Sequence, residues 1–500
     1  MKRASGVLMP IFSLPGEYGI GTFGKEAYNF ADYIKEAGVK YWQILPIHPL
    51  TLGNSPYQST STYAGNMYLI DLDMLYELGV LRKLDYKSLD FGSDTNKIDY
   101  DKLAINKKNV LILAANNFIK SKLNKSEEIT REYEDFKSEF SFFLNDYSVY
   151  ALLKERYGGR NFSEWDKIHK LHYEEVIKEF EEQNKKELEV YKVIQFFFFS
   201  QWFKLKKYVN EIGIKIIGDM PIYSSLDSVE VFSDYKNFDL DENRKPKEVA
   251  GCPPDAFSED GQLWKNPLYD YDYMKSDGYG YFVRRIKHLH KLYDVIRIDH
   301  FRGFASYYAI PADSDTAKNG VWKLGPGIEI FNEIKKSVNN LDIIAEDLGM
   351  IDETVHNLLN ETGFPGMKVV EFAFGGDPEN HPYLPKNYNE NAVAYLGTHD
   401  NDTFLGWLSR INDYEYDNAR KYLHLDREGF EHLDAIKELF KSKANLTVVM
   451  MQDLLGLGNE ARINTPSTVS EDNWSYRFSD KYLDKNAQSF LKELIKETER

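Results

Sequence analysis

Eight short apolar runs recur along the chain, each with the length and composition of a buried strand. They are residues 6–9, 41–45, 215–218, 295–298, 342–345, 368–372, 393–396 and 447–451. Three of them are followed by segments with apolar residues at helical spacing, at 25–37, 327–338 and 353–359. Alternation of strand and helix, repeated eight times, is typical of an α/β protein with a parallel (β/α)8 TIM barrel.

Two intervals between the predicted strands are too long to be simple loops. Residues 73–195 are rich in Lys, Glu, Phe and Tyr at helical spacing and predict a mostly helical insertion between strands two and three. Residues 220–285 are rich in Asp, Pro, Gly, Ser and Tyr and predict an irregular, loop-rich insertion that covers the barrel mouth. We expect residues 1–500 to form one barrel without a C-terminal β domain, because only about fifty residues follow the eighth strand.

Charge and cysteine content narrow the partners and the compartment. The net charge of −17 disfavours nucleic acid and anionic membranes, so a neutral substrate is expected. Cys252 is the single cysteine, which rules out an internal disulfide and indicates a reducing, cytoplasmic location. The N-terminal segment does not resemble a signal peptide, and no apolar run approaches the ~18 residues that span a bilayer.

One motif matches a nucleotide-binding pattern without its context. Gly19, Gly21 and Gly24 have the spacing of the dinucleotide fingerprint, but Pro10 and Pro15 separate them from the preceding strand. In dinucleotide-binding folds the first glycine turns the chain directly out of the strand. We therefore interpret this segment as a loop at the barrel mouth and not as a dinucleotide-binding site.

Polar residues gather where three of the predicted strands end. These segments are residues 295–300, 343–347 and 395–402, and the carboxyl ends of barrel strands meet at one mouth. Arg297 and Asp299 are two residues apart on a strand and therefore project to the same side. A neighbouring arginine favours the charged form of a carboxyl group, so Arg297 is expected to lower the pKa of Asp299.

An ionised carboxylate beside a second, protonated carboxyl group is what retaining glycoside cleavage requires. Asp299 can supply the first, and Asp400 is placed to stabilise a positively charged transition state and bind hydroxyl groups. Glu346 and Asp347 are adjacent and point to opposite sides, so spacing leaves open which of them enters the site. Asp219 also remains open, between a place at the mouth and a local turn before Pro221.

Ordered motifs over nearly the whole chain resemble the 4-α-glucanotransferases (amylomaltases, or disproportionating enzymes) of glycoside hydrolase family 77. They lie at residues 13–21, 55–59, 64–66, 159–160, 218–223, 253–255, 261–264, 297–303, 345–349, 363–367, 397–401 and 464–466. The resemblance implies a retaining transferase that moves part of an α-1,4-glucan donor to glucose or another glucan, without a metal or an organic cofactor.

The resemblance also implies a role for each matching residue. Asp299 corresponds to the nucleophile, Glu346 to the general acid/base and Asp400 to the transition-state stabiliser. The residues implied to bind substrate are Tyr57, Asp219, Phe257, Trp264, Arg297, His300, Phe374 and His399. Among these, Phe257 and Trp264 belong to the loop on the acceptor side, and Phe374 resembles an aromatic platform.

Three other functions remain as alternatives. An α-amylase-type hydrolase uses the same carboxylates but passes the glycosyl unit to water. A metal-dependent barrel hydrolase would account for Asp299-His300 and residues 399–402, although the first predicted strand carries no His-x-His pair. A non-catalytic glucan-binding protein needs aromatic surfaces but no arginine-supported carboxylate beside a second acid.

Overall fold

The computed structural model describes residues 2–51, 53–121, 127–254 and 259–500. Its twelve strands are β1 Ala4–Leu8, β2 Tyr41–Gln43, β3 Lys215–Pro221, β4 Glu248–Cys252, β5 Gln262–Pro267, β6 Val295–Asp299, β7 Ser306–Pro311, β8 Val321–Leu324, β9 Asp342–Ala345, β10 Gly366–Val369, β11 Ala392–Tyr395 and β12 Leu446–Met450. Eight of them close a parallel barrel in the order β1-β2-β3-β6-β9-β10-β11-β12. The predicted (β/α)8 barrel is therefore confirmed.

Helices surround this barrel. They are α1 Lys25–Glu36, α2 Leu72–Glu77, α3 Tyr100–Lys102, α4 Lys108–Lys120, α5 Glu127–Glu139, α6 Ser141–Arg156, α7 Lys167–Lys170, α8 Glu174–Gln183, α9 Lys185–Glu211, α10 Val229–Ser233, α11 Tyr271–Ser276, α12 Gly280–Leu292, α13 Ile328–Ser337, α14 Glu353–Thr362, α15 Phe404–Leu408, α16 Asp413–Leu423, α17 Glu431–Lys441, α18 Met451–Leu454 and α19 Lys485–Thr498. No helix in the described ranges is long and apolar enough to cross a membrane.

All eight predicted barrel strands are present, with small shifts at their ends. The sixth begins at Gly366 and ends at Val369, because residues 370–373 turn into a short 3-10 helix. The predicted helices also form, and α14 shows how their ends are set. The Asp352 side chain accepts hydrogen bonds from the backbone N–H groups of Thr354 and Val355, and Gly363 ends the helix at φ +71°.

Side chains alternate between the barrel interior and the surrounding helices. On β6, Val295 packs with the interior cluster, whereas Ile296 and Ile298 pack with the larger core outside. Arg297 and Asp299 are two and four residues after Val295 on the same strand, so their side chains also face the interior. The apolar layer in the barrel thus lies at the Val295 level, and polar groups occupy the level above it, towards the carboxyl ends of the strands.

The two long intervals hold more regular structure than the sequence indicated. Helices fill much of 73–195, but α9 is continuous across residue 195, so the predicted boundary falls inside a helix. Residues 220–285 contribute β4 and β5 to a four-stranded antiparallel sheet in the order β5-β4-β7-β8, and they also contain α10, α11 and the start of α12. The sequence of this interval did not indicate its strands, because β4 pairs with β7, which lies outside the interval. Residues 451–500, all described, form helices and turns without a strand.

Candidate active site

The register of β3 against β6 brings three charged residues together. Asp219 pairs with Arg297, and Pro221 pairs with Asp299, across two parallel strands. Since Asp219 lies opposite Arg297 and both side chains face the barrel interior, the carboxylate and the guanidinium meet. Nη1 of Arg297 lies 2.6 Å and 2.8 Å from the two carboxylate oxygens of Asp219. Of the two places left open for Asp219, the structure puts it at the mouth.

Arg297 also donates a hydrogen bond to Asp299, from Nη1 to Oδ1 at 3.1 Å. The charge of Arg297 lowers the pKa of Asp299, as the sequence led us to expect, but the resulting pKa is raised above its ordinary value and not depressed. Burial raises the pKa of Asp299 to about 6, against a lowering by Arg297, and the charges of Asp219 and Asp400 raise it further. The expected depressed pKa was wrong because burial, the largest effect, outweighs the lowering by Arg297.

Glu346 follows the last residue of β9 and is the acid that enters the mouth. Glu346 is two residues after Ile344, so the two side chains project to the same side of the chain, and Ile344 packs inside the barrel. Its carboxylate accepts hydrogen bonds from the backbone N–H groups of His300 at 2.7 Å and Leu348 at 2.8 Å. Burial and the charge of Asp299 raise the pKa of Glu346 to about 7, which keeps a proton on it near neutral pH.

Asp347 points away from the mouth. Its Oδ1 accepts a hydrogen bond from the backbone N–H of Met367 at 2.6 Å, on the neighbouring strand β10. The structure thus separates two adjacent acids that spacing alone could not. Asp347 holds β10 in place, and Glu346 belongs to the group around Asp299.

His300 is held in a strained conformation directly after Asp299. Its backbone is left-handed at φ +52°, which is uncommon for a side-chain-bearing residue and is frequent at functional sites. The ring meets Trp264 of β5 edge-on, with centroids 4.8 Å apart. Burial lowers the pKa of His300 to about 3, so the ring is neutral, and its Nε2 has no hydrogen-bond partner among the described residues. A sugar hydroxyl would provide that partner.

The loop after β11 presents His399 and Asp400 from the opposite wall. Nε2 of His399 lies 3.3 Å from Oδ2 of Asp400, and burial lowers the pKa of His399. Oδ1 of Asp400 accepts a hydrogen bond of 2.6 Å from Nδ2 of Asn464. The Asp400 side chain is 41% exposed, whereas Asp219 is fully buried, so Asp400 is the more open of the two to a ligand.

Aromatic rings close the site between these walls. The Tyr57 hydroxyl donates to Oδ2 of Asp219 at 2.8 Å, and its ring stacks on His399. Trp474, 5% exposed, contacts both rings from behind, with centroids 5.6 Å from Tyr57 and 5.9 Å from His399. The structure therefore gathers Tyr57, Asp219 and His399 around the carboxylates.

Among the described residues that were predicted to bind substrate, Phe374 is not in this group. Phe374 is 1% exposed and packs against Trp407, with centroids 5.5 Å apart. We correct its assignment as an aromatic platform, because a ring without an exposed face cannot stack on a sugar. Phe257 lies outside the described residues.

Three residues after the last barrel strand were missed by the sequence analysis as site residues. Arg462, Asn464 and Trp474 all contact the loop that carries His399 and Asp400, or its side chains. Asn464 stood in a matched motif, at residues 464–466, without a role. No local signal connected Arg462 or Trp474 with a site more than sixty residues away along the chain.

This arrangement suits acid/base and nucleophilic chemistry on a neutral ligand. It places two carboxyl groups with pKa values of about 6 and 7 in mutual electrostatic contact, so that one can be ionised while the other keeps its proton. A third carboxylate, Asp400, faces them, and neutral histidines and aromatic rings line the walls. Such a set matches the requirements of glycosidic bond cleavage.

Comparison with known proteins agrees with this chemistry. The 4-alpha-glucanotransferase of Clostridium butyricum is 47% identical over 474 residues, 94% of this chain and 96% of the relative. The amylomaltase of Streptococcus agalactiae, solved in complex with acarbose, superimposes with a TM-score of 0.96 at 42% identity over 100% of both chains. Amylomaltase from Corynebacterium glutamicum, 18% identical, shares the fold with a TM-score of 0.79 over 98% of this chain and 75% of that one. The sequence pattern of glycoside hydrolase family 77, described as 4-alpha-glucanotransferase, matches residues 9–483, and the chain belongs to this family.

Proposed function

We propose that this chain is a retaining 4-α-glucanotransferase that breaks an α-1,4 bond and remakes it on another glucan through a covalent intermediate on Asp299. The single observation that supports this most is the Asp299–Glu346 pair, in which burial and the charge of Asp299 raise the pKa of Glu346 to about 7. A retaining reaction requires two such carboxyl groups about 5–5.5 Å apart. The donors are maltooligosaccharides or starch, and the acceptors are glucose or glucans.

In the first half-reaction Glu346 gives its proton to the glycosidic oxygen while a carboxylate oxygen of Asp299 attacks the anomeric carbon. The bond to the leaving glucan breaks, and the leaving sugar departs with the Glu346 proton on its 4-hydroxyl. In the second half-reaction the 4-hydroxyl of an acceptor attacks the same carbon and gives its proton to Glu346, which releases Asp299. The bond broken and the bond formed are both α-1,4.

Arg297, Asp219 and Tyr57 hold the nucleophile at its place in this scheme. Arg297 is hydrogen-bonded to Asp219 and Asp299, and Tyr57 is hydrogen-bonded to Asp219, so the nucleophile is tied to two strands and a loop. Asp400, on the opposite wall, stabilises the positive charge that develops on the sugar ring. Tyr223 and Trp264, with ring centroids 6.2 Å apart, line the side of His300 and favour a sugar acceptor over water.

Maltotriose as the only substrate tests transfer against hydrolysis. We expect glucose and a ladder of longer maltooligosaccharides, with a nearly constant number of reducing ends. A steady rise in reducing ends with short products alone would show an α-amylase-type hydrolase instead.

We also propose a cytoplasmic location, supported by the single cysteine.

Trapping the intermediate tests the roles of the two carboxyl groups. In Glu346→Gln, α-glucosyl fluoride needs no proton for its leaving group, so the glycosyl-enzyme should accumulate and add one glucosyl mass to the peptide containing residues 297–302. Asp299→Ala should abolish turnover of every donor. Asp347→Asn is the matched control, because its amide oxygen can still accept from Met367. An adduct on another carboxylate would contradict the assignment.

A further inference from the structure

Arg462 joins the loop that carries Asp400 to the segment after the last barrel strand. Its Nη2 donates to the backbone carbonyl of Asp400 at 2.8 Å, and its Nε donates to the backbone carbonyl of Asn464 at 2.7 Å. Its Nη1 contacts the carboxylate of Asp402. Asn464 in turn donates to Oδ1 of Asp400. One guanidinium therefore fixes both the main chain of Asp400 and the residue that orients its carboxylate.

Two buried carboxyl groups lie behind the same loop. Glu371 and Asp453 are buried, and one carboxylate oxygen of each has no hydrogen-bond partner among the described residues. Burial raises the pKa of Glu371, the charges of Asp453 and Asp402 raise it further, and Arg462 lowers it. Packing here is tight, since a Cβ added at Gly397 would lie 2.6 Å from Oε1 of Glu371. Arg462 thus favours the ionised form of Glu371, against the effect of burial.

We infer that Arg462 is a positioning residue for Asp400, set to hold its carboxylate where positive charge develops in the transition state. The inference deepens the proposed function and rests on the role of Asp400 in it. The planar guanidinium matters as well as its charge, because it serves three acceptors in three directions. A lysine ammonium on a flexible stem cannot hold that geometry.

Arg410 also contacts the carboxylate of Asp402, so a variant of Arg410 is a matched control for variants of Arg462. Its Nη1 lies 3.0 Å from both oxygens of Asp402, but none of its described contacts reaches Asp400 or Asn464. Its side chain is 62% exposed, against 18% for Arg462. Removing Arg410 takes away an ion pair with Asp402 and leaves the hydrogen bonds to Asp400 and Asn464 in place.

The experiment compares Arg462→Gln, Arg462→Lys and Arg410→Gln in maltotriose disproportionation, with thermal unfolding of each protein. A displacement of about 1 Å in a catalytic group costs about 100-fold in rate, so kcat should fall by about that factor in Arg462→Gln with little change in KM. Arg462→Lys keeps the charge and should fold, yet kcat should still fall. Arg410→Gln should retain the kcat of the parent protein.

A double-mutant cycle shows whether Arg462 acts through Asp400. In an Asp400→Asn background, Arg462→Gln should lower kcat little further, because the group that it positions is already gone. Equal losses with and without Asp400, or a kcat in Arg462→Gln and Arg462→Lys that matches Arg410→Gln, would overturn the inference. A parent protein that does not disproportionate maltotriose would instead overturn the proposed function, before any variant is compared.

Discussion

The ring of Tyr57 lies parallel to the ring of His399, with centroids 5.2 Å apart and planes 5° apart. Trp474 supports this pair from behind and adopts a left-handed backbone at φ +63°. A bulky residue in that region costs of order 1–3 kcal/mol and persists only when its surroundings hold it. The hydroxyl of Tyr100 helps to do so by donating to the carbonyl of Trp474 at 2.7 Å.

Replacing Trp474 should therefore impair catalysis more than its distance from the carboxylates suggests. Trp474→Ala should lower kcat/KM for maltotriose by about tenfold or more and destabilise the fold by about 3–5 kcal/mol. Trp474→Asn suits the left-handed backbone better but also lacks the ring, so it should lose the same activity. Trp165→Ala, in the helical insertion, should lose similar stability while keeping kcat/KM. Activity retained in Trp474→Asn would show that the ring is dispensable.

The pH profile should be bell-shaped, with two limbs that belong to the coupled pair. Activity requires ionised Asp299, so kcat/KM should rise as pH increases through about 6. It also requires protonated Glu346, so kcat/KM should fall as pH increases through about 7. Initial rates on maltotriose from pH 4 to 9 measure both limbs. With α-glucosyl fluoride, formation of the glycosyl-enzyme in Glu346→Gln should lose the alkaline limb.

Asp219→Asn should move the acidic limb to lower pH. The charge of Asp219 raises the pKa of Asp299 and competes with it for Arg297, so removing that charge favours ionised Asp299. We expect a lower kcat as well, because the contact of the Tyr57 hydroxyl changes. The measurement is kcat/KM against pH in the variant and the parent. An acidic limb that stays in place or moves upward would contradict this account of the charges.

Activity should not depend on a metal ion. No group of three or more His, Cys, Asp or Glu side chains within the described ranges is arranged to hold one. Exhaustive chelation followed by desalting should leave the rate of maltotriose disproportionation unchanged. Loss of activity that a single divalent ion restores would favour the metal-dependent hydrolase instead.

Asp453 should make the folded state less stable as pH rises. Burial raises its pKa from 3.8 to about 7, so the folded protein holds this proton more tightly than the unfolded chain does. The resulting stabilisation is present below pH 3.8 and is lost as pH rises through about 7. Asp453→Asn keeps the acceptor for Phe404 N–H and should raise Tm at pH 8 more than at pH 5. The side chain of Asp472 is 86% exposed, so Asp472→Asn should have the same Tm as the parent protein at both pH values.

Periodicity along the chain was enough to predict the barrel and part of its chemistry. Burial of a strand on both faces leaves a short continuous apolar run, and eight such runs with helices between them limit the fold to a few topologies. The two-residue period placed Arg297 and Asp299 on one face without any knowledge of their neighbours. These features are local, which is why they could be predicted.

The tertiary structure decided the rest, because partners far apart in sequence set it. The alternation of side chains along a strand could not show whether Glu346 or Asp347 enters the site. The packing of Ile344 inside the barrel shows that it is Glu346. The pKa of Asp299 rises because burial outweighs the effect of an arginine that Asp219 shares, and neither burial nor register can be deduced from spacing. Arg462 reaches Asp400 across sixty-two residues of chain, a distance that only the closed barrel removes.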